Sequence, residues 1–179
     1  MANILLHDTR VIVATPPRSD FYKAIQSHMD LETALNDLAA EITGLGRGNG
    51  TGNTLNILAH GGPAGILLGS PGLSQLNVGT FSRLYHTVST IIFHSCAATR
   101  VYAGPHSFNG ARMCQLLSLL VECTVVGADV TQYLNLDTFY NSTNNVQYAP
   151  WQGNVTVYRN GSLISTSTPT LREAGFMPY

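Results

Sequence analysis

Two apolar runs, LNILAHGG at residues 55–62 and TIIFHSCAA at residues 90–98, decide how this chain folds. Each run is short, rich in aliphatic residues and followed by small residues, which is typical of a strand in a parallel sheet. The first run ends at His60-Gly61 and the second at Cys96. Parallel strands have their carboxyl ends at one edge of the sheet, so neighbouring strands would bring imidazole and thiol together. The two runs therefore predict a candidate cysteine–histidine dyad.

The segments around these runs predict further strands and helices in alternation. Asp20 is a candidate cap for a helix over residues 21–42, with Asp30 as an alternative start after a break near residue 28. We expect further helices over residues 76–84 and 108–121, and short strands or hairpin arms at residues 4–6, 11–14, 65–69 and 124–128. Strands alternating with helices at these spacings indicate right-handed crossovers and an α/β fold with a mostly parallel central sheet.

The C-terminal part has a different pattern from the core. Residues 155–165 form two alternating runs joined by Asn160-Gly161, a sequence that favours a type I′ turn and a β-hairpin. We expect this hairpin at the edge of the sheet, as an extension of a single domain spanning residues 1–179. Its three parts are N-terminal strands, a helix and a glycine-rich loop (1–53), the core (54–134), and the hairpin with the tail (135–179).

Composition indicates a weakly charged globular chain. Of 179 residues, 44% are hydrophobic and only 11% are charged, with a net charge of −1. Lys23 is the single lysine, so no polybasic patch exists, and we expect neither nucleic acid nor membrane as a partner. The longest apolar stretch, residues 116–128, is interrupted by Glu122 and is too short to span a bilayer.

The cysteine count and the N-terminal sequence bear on the compartment. Three cysteines are too few for a disulfide scaffold, which favours a reducing compartment. The N-terminus has no basic region followed by an apolar run and a cleavage site. The default expectation is therefore a cytoplasmic protein.

A thiol that cleaves an amide needs a proton-transfer partner and donors for the tetrahedral oxyanion. His60 is the candidate partner of Cys96. The backbone N–H groups of Gly61 and Cys96 are the candidate oxyanion donors, because glycine allows the backbone to approach a substrate closely. Buried cysteines are usually inert, so the prediction depends on the matching His-Gly strand.

Two other kinds of site fit the residues less well. The His60-Gly61-Gly62 sequence is similar to the oxyanion loop of esterases, but the chain has no Gly-x-Ser-x-Gly nucleophile elbow. His94 lies two residues before Cys96, and with His60 it would offer three metal ligands, yet no ligand spacing typical of zinc is present. We therefore expect no metal, and we expect His94 to lie beneath the site as a hydrogen-bonded histidine.

From residue 55 to residue 133 the chain resembles the caspase-like cysteine peptidases, and among them domains of large bacterial surface proteins and toxins. The resemblance is carried by the His-Gly strand, the strand ending at Cys96, and the helix and strand that follow. It implies a three-layer caspase-like α/β sandwich, His60 and Cys96 as the catalytic dyad, endopeptidase activity on a peptide or protein substrate, and no cofactor for the chemistry. It is also compatible with a domain of a larger secreted or toxin protein that processes its own parent chain or cleaves a few partners.

The chain departs from these relatives in two ways. Many of them carry glycine or serine soon after the cysteine, where this chain has Ala97-Ala98. The lysine-rich surface that binds inositol hexakisphosphate in toxin protease domains is missing, which disfavours that mode of activation. Activation by calcium stays open, although no motif indicates it, and so does the oligomeric state.

The resemblance also implies a substrate-binding segment. In the family, residues corresponding to 128–134 pair with the substrate as an added strand, which places Asp129 and Thr131 near the specificity pocket. Asp129 is a candidate for selecting arginine or lysine and equally fits a loop or capping carboxylate, whereas Arg100 or Arg112 would favour an acidic residue. Two other functions remain open: an inactive caspase-like binding or assembly module, and a cysteine-dependent acyl hydrolase or transferase.

Overall fold

The described part of the chain contains nine strands, two α-helices and one 3-10 helix. The computed structural model describes residues 2–13, 16, 18–44, 52–104, 107–130, 132 and 151–168. The strands are β1 (Asn3–Asp8), β2 (Phe21–Ile25), β3 (Thr54–Leu58), β4 (His60–Gly62), β5 (Gly65–Leu67), β6 (Thr90–His94), β7 (Thr124–Ala128), β8 (Val155–Arg159) and β9 (Ser162–Ser167). The helices are α1 (Leu31–Ile42), the 3-10 helix (Val78–Leu84) and α2 (Gly110–Leu120).

Seven of these strands form one sheet in the order β2-β1-β3-β6-β7-β8-β9. The first five in this order run parallel, whereas β8 and β9 are each antiparallel to their neighbours. β4 and β5 form a separate antiparallel pair. The prediction of an α/β fold with a mostly parallel central sheet is confirmed.

All three described helices lie on one face of the sheet. Their buried residues share one apolar cluster with a row of strand residues in register: Ile4, Leu55, Ile91 and Val125. The opposite face carries two smaller clusters, one around Leu5 and one around Ile92. The three-layer arrangement would need helices on both faces, and the described residues place them on one only.

The order of the strands creates a switch point between β1 and β3. The connections from β2 to β3, from β3 to β6 and from β6 to β7 all move in the same direction across the sheet. Right-handed crossovers therefore put the helices of these connections on the same face. The step from β1 to β2 runs the other way, and Val11 of that connection packs with Leu5 and Leu58 on the opposite face. Loops that leave in opposite directions open a crevice at the carboxyl ends of β1 and β3, where α/β sheets commonly bind ligands.

The prediction of one helix over residues 21–42 is wrong, because β2 occupies its first part. Asp20 does not cap a helix: its backbone N–H donates to the Asn3 carbonyl at 2.7 Å, and its carboxylate accepts the Asn3 N–H at 2.8 Å. These two bonds align β2 with β1. The alternative start is confirmed, since the Asp30 carboxylate caps α1 by accepting the Thr33 N–H at 2.8 Å.

Two shorter predictions also differ from the structure. Residues 11–13 are not a strand, because the Val11 N–H closes a turn on the Asp8 carbonyl at 3.0 Å; Ala14 lies outside the described residues. The helix predicted over residues 76–84 is a 3-10 helix. Its Gly79 and β-branched Thr80 disfavour a regular α-helix.

Several other predicted elements are confirmed. α2 and β7 lie where the helix and strand after Cys96 were expected, and β5 is a hairpin arm. Asn160 and Gly161 have φ of 49° and 74°, as a type I′ turn requires, and they join β8 to β9. The hairpin continues the central sheet through β7 and is not a separate appendage. No helix in the described ranges is long and apolar enough to cross a membrane.

Candidate active site

Neighbouring parallel strands bring His60 and Cys96 to the same edge of the sheet. β3 pairs with β6 so that Leu58 lies opposite His94. His60 and Cys96 are each two residues beyond this pair, at the same level of the two chains. Neighbouring strands are about 4.8 Å apart, so the two backbones leave the sheet side by side. The backbones of the predicted dyad residues thus emerge together, whereas their side-chain contacts differ: His60 bonds to Arg10 after β1, and Cys96 bonds to Gln132 after β7.

Gly61 lies directly against the Cys96 backbone. A Cβ atom at Gly61 would collide with the Cys96 carbonyl oxygen, whereas a Cβ at Gly62 would meet nothing within 4 Å. Glycine is therefore required by close approach at the first position and not at the second. This contact holds the loop after β3 next to the loop after β6.

The Gly61 N–H points away from the β4–β5 hairpin. Both backbone groups of Ile66, the residue opposite Gly61, bond to Leu73 at 2.8 Å on the other side of β5. Gly61 and Ile66 are therefore a non-hydrogen-bonded pair, in which the N–H and C=O of Gly61 face outward. Within the described residues the Cys96 N–H also makes no hydrogen bond. Both predicted oxyanion donors are thus available for a ligand.

The His60 side chain is exposed and is held by the loop after β1. Its Nε2 lies 3.2 Å from the Arg10 carbonyl oxygen. Because a carbonyl only accepts, Nε2 carries the proton in this contact and Nδ1 becomes the acceptor of the ring. The contact spans the switch point between β1 and β3, so the imidazole sits in the crevice that the topology creates.

The Cys96 thiol is half-buried under the segment that follows β7. Its Sγ donates to the Gln132 carbonyl oxygen at 3.5 Å, and the next residue, Ala97, donates its N–H to the Val130 carbonyl at 2.8 Å. The side-chain amide of Gln132 donates a further hydrogen bond to the Gln152 carbonyl oxygen at 2.8 Å. The segment predicted to pair with substrate therefore lies against the thiol.

Ala97 adopts a backbone conformation that disfavours residues with a side chain. Its φ is 52°, in the left-handed region where alanine is strained relative to glycine. Ala97 is one of the two alanines that follow the cysteine, where many caspase-like peptidases carry glycine or serine. The turn after β6 is therefore sharp, as at sites that present a nucleophile.

The predicted substrate-binding residues have different surroundings. Asp129 is tied to Asn154: its two carboxylate oxygens accept the backbone and side-chain N–H groups of Asn154, each at 2.9 Å. Arg100 is exposed, with its guanidinium carbon 5.2 Å from the centre of the Tyr102 ring. Thr131 lies outside the described residues.

His94 lies beneath the site, on the face of the sheet without described helices. Its Nε2 donates to the Asn56 side-chain oxygen at 3.0 Å, and its ring stacks on Trp151 with centroids 5.5 Å apart. Burial lowers the pKa of His94 to about 3, from an ordinary value of 6.5. The imidazole is therefore neutral at neutral pH, as expected for a hydrogen-bonded histidine below the site.

The three cysteines are free thiols in different surroundings. Cys114 and Cys123 are buried, and burial raises the pKa of both, that of Cys123 to about 12. Cys96 alone is partly exposed. Among the described residues, no group of three or more His, Cys, Asp or Glu is arranged to hold a metal ion.

Sequence reasoning missed Asp8, Arg10 and Gln132. Asp8 is fully buried beside Arg10, whose carbonyl contacts His60. The sequence indicates Asp8 only weakly, as a carboxylate at the end of an apolar run that predicts a buried strand. Gln132 acts through its backbone carbonyl, which no sequence pattern identifies.

Comparison with protein-family models, curated proteins and solved structures gave no match to this chain.

The low pKa of His94 predicts a loss of stability in weak acid. Below about pH 6.5 His94 binds a proton in the unfolded chain, whereas in the folded protein it stays neutral down to about pH 3. The free energy of unfolding therefore falls as the pH drops. The slope is at most about 1.4 kcal/mol per pH unit. Urea denaturation between pH 7 and pH 5 should give a flatter slope for His94→Gln than for the wild type. His28→Gln, at an exposed histidine, should keep the wild-type slope, and equal slopes for all three would contradict the prediction.

The strain at Ala97 predicts opposite responses at two adjacent alanines. Ala97→Gly relieves the left-handed conformation, which offsets the lost methyl burial, so the free energy of unfolding should stay within about 1 kcal/mol of wild type. Ala98 is fully buried without a positive φ, so Ala98→Gly should lose about 1–2 kcal/mol. Chemical denaturation of both variants measures the difference. Equal losses would mean that Ala97 is not strained.

Proposed function

We propose that this protein is a cysteine endopeptidase of caspase-like type in which Cys96 and His60 form the dyad. The observation that carries the proposal is the meeting of the His60-Gly61 loop and the Cys96 loop at the ends of two adjacent parallel strands. A nucleophile, a general acid–base and backbone donors at one sheet edge are the groups that amide cleavage needs.

In the proposed reaction, the Cys96 thiolate attacks the scissile carbonyl carbon. The Gly61 and Cys96 N–H groups bind the oxyanion, and both are available among the described residues. Protonated His60 gives its proton to the leaving amine, and the C–N bond breaks to leave a thioester on Cys96. His60 then takes a proton from water, which attacks the thioester and releases the acid.

We propose that the substrate carries an acidic residue that contacts Arg100. The Asp129 carboxylate is held by two hydrogen bonds from Asn154, which fits a loop-capping role. Arg100 is exposed, follows the Cys96 loop directly, and forms no salt bridge within the described residues. We therefore propose Arg100 as the residue that selects the substrate.

A second candidate function is a non-catalytic binding module of the same fold. The hydrogen bond from Cys96 Sγ to the Gln132 carbonyl supports this alternative, since only the protonated thiol can make it. In such a module the thiol would stay covered and unreactive.

Cleavage of a diverse peptide library separates the two functions. The wild type should cleave the library, and the assay is run both with and without calcium. Cys96→Ala and His60→Ala should each lower kcat/KM by at least about 1,000-fold. Cys123→Ala, at a buried thiol, is the matched control and should retain cleavage. Arg100→Gln should weaken the preference for acidic residues by about 10-fold or more.

Two outcomes would count against the peptidase. Cleavage that persists in Cys96→Ala would come from another group or a contaminant. Absence of cleavage by the wild type, together with a Cys96 thiol that does not react with alkylating agents, would favour the binding module.

A further inference from the structure

Asp8 is a buried carboxylate at the end of β1, and it is the centre of a compact hydrogen-bonded cluster. Its side chain is fully buried. One oxygen accepts the backbone N–H and the Nε–H of Arg10 at 3.0 and 2.8 Å. The other accepts the Arg10 Nη2–H at 2.7 Å and the Gly69 N–H at 2.9 Å. Four donors thus converge on a single carboxylate.

The first route from this cluster to His60 runs through the backbone of Arg10. The Asp8 side chain accepts the Arg10 N–H, and the Asp8 carbonyl accepts the Val11 N–H at 3.0 Å, which together fix a tight turn. This turn orients the Arg10 carbonyl, the group that lies 3.2 Å from His60 Nε2. The position of the His60 ring therefore depends on the turn that Asp8 holds.

The second route runs through the hairpin that carries His60. Leu67 of β5 lies opposite His60, and Gly69 follows β5 by two residues. Gly69 is bound on both of its backbone groups, by the Asp8 carboxylate and by Arg10 Nη2 at 3.1 Å. The hairpin is thus anchored to the same cluster as the turn, and His60 is held from two sides.

Simple stability does not explain a charge at this position. The Asp8 side chain is fully buried, whereas the Arg10 side chain is 31% exposed, so the carboxylate bears most of the cost of lost hydration. Burial raises the pKa of Asp8, but the hydrogen bonds from Arg10 and Gly69 outweigh it and hold the pKa below its ordinary value. The carboxylate is therefore ionised at neutral pH and keeps its partners in fixed directions.

We propose that Asp8 is a positioning residue for the His60 imidazole, acting through the Arg10 carbonyl and the Gly69 end of the hairpin. This inference rests on the proposed function, in which His60 donates and accepts the protons that the reaction at Cys96 requires. Asp8 touches no substrate. It selects the His60 orientation in which Nε2 binds Arg10 and Nδ1 remains free for proton transfer.

The test measures the orientation of His60 without requiring turnover. NMR side-chain couplings and relaxation of the assigned His60 ring should show one dominant rotamer in the wild type. Asp8→Asn and Arg10→Gln should each produce averaging among rotamers. The double variant should be no worse than the more severe single variant, because both substitutions weaken the same hydrogen-bonded cluster. Arg83→Gln removes a surface ion pair with Glu32 and should leave the ring unchanged.

The kinetic part of the test follows the peptide cleavage of the proposed function. Asp8→Asn and Arg10→Gln should lower kcat about 10- to 100-fold with KM nearly unchanged, the effect of a misplaced catalytic group. Variants that lose thermal stability but keep a single His60 rotamer would overturn the positioning role. Loss of the rotamer in a protein that cleaves no peptide would support Asp8 as the positioning residue while refuting the peptidase.

Discussion

The parallel register between β3 and β6 is the constraint on which the candidate site depends. It aligns Leu58 with His94, and this alignment brings the next loop residues, His60 and Cys96, to one level. Side chains alternate between the faces of a strand, so a slip of one residue would turn one of the two away from the other. The register is fixed by the apolar residues that both strands bury under the helices. The packing of the core and the geometry of the site therefore have the same cause.

Two buried polar side chains near the site, Asn56 and Asp8, are fixed by partners on the protein. Buried polar groups are costly unless they are hydrogen-bonded. Asn56 hydrogen-bonds to His94 and to the backbone of β1, and Asp8 hydrogen-bonds to Arg10 and Gly69. The first set joins three neighbouring strands, β1, β3 and β6, and the second joins β1 to the hairpin that carries His60.

The sequence predicted those parts of the structure that depend on local pattern. The strands before His60 and Cys96, α2 and the Asn160-Gly161 hairpin follow from apolar runs, caps and turn residues. β2 was predicted as helix because its short mixed pattern fits either period, and its pairing with β1 is a long-range event. The role of Asp8 could not be predicted, because its partners come from the turn after β1 and the hairpin after β3, which only folding brings together.

The rate of Cys96 alkylation by iodoacetamide in the native protein, followed by mass spectrometry from pH 5 to pH 9, tests most directly whether His60 and Cys96 act as a pair. If they do, His60→Ala should slow the reaction at pH 6 by about 10-fold or more, because the imidazolium favours the reactive thiolate. His28→Ala should have no effect, and Cys114 and Cys123 should stay unmodified in all three proteins. Equal alkylation rates in the wild type and His60→Ala across the whole pH range would contradict the account.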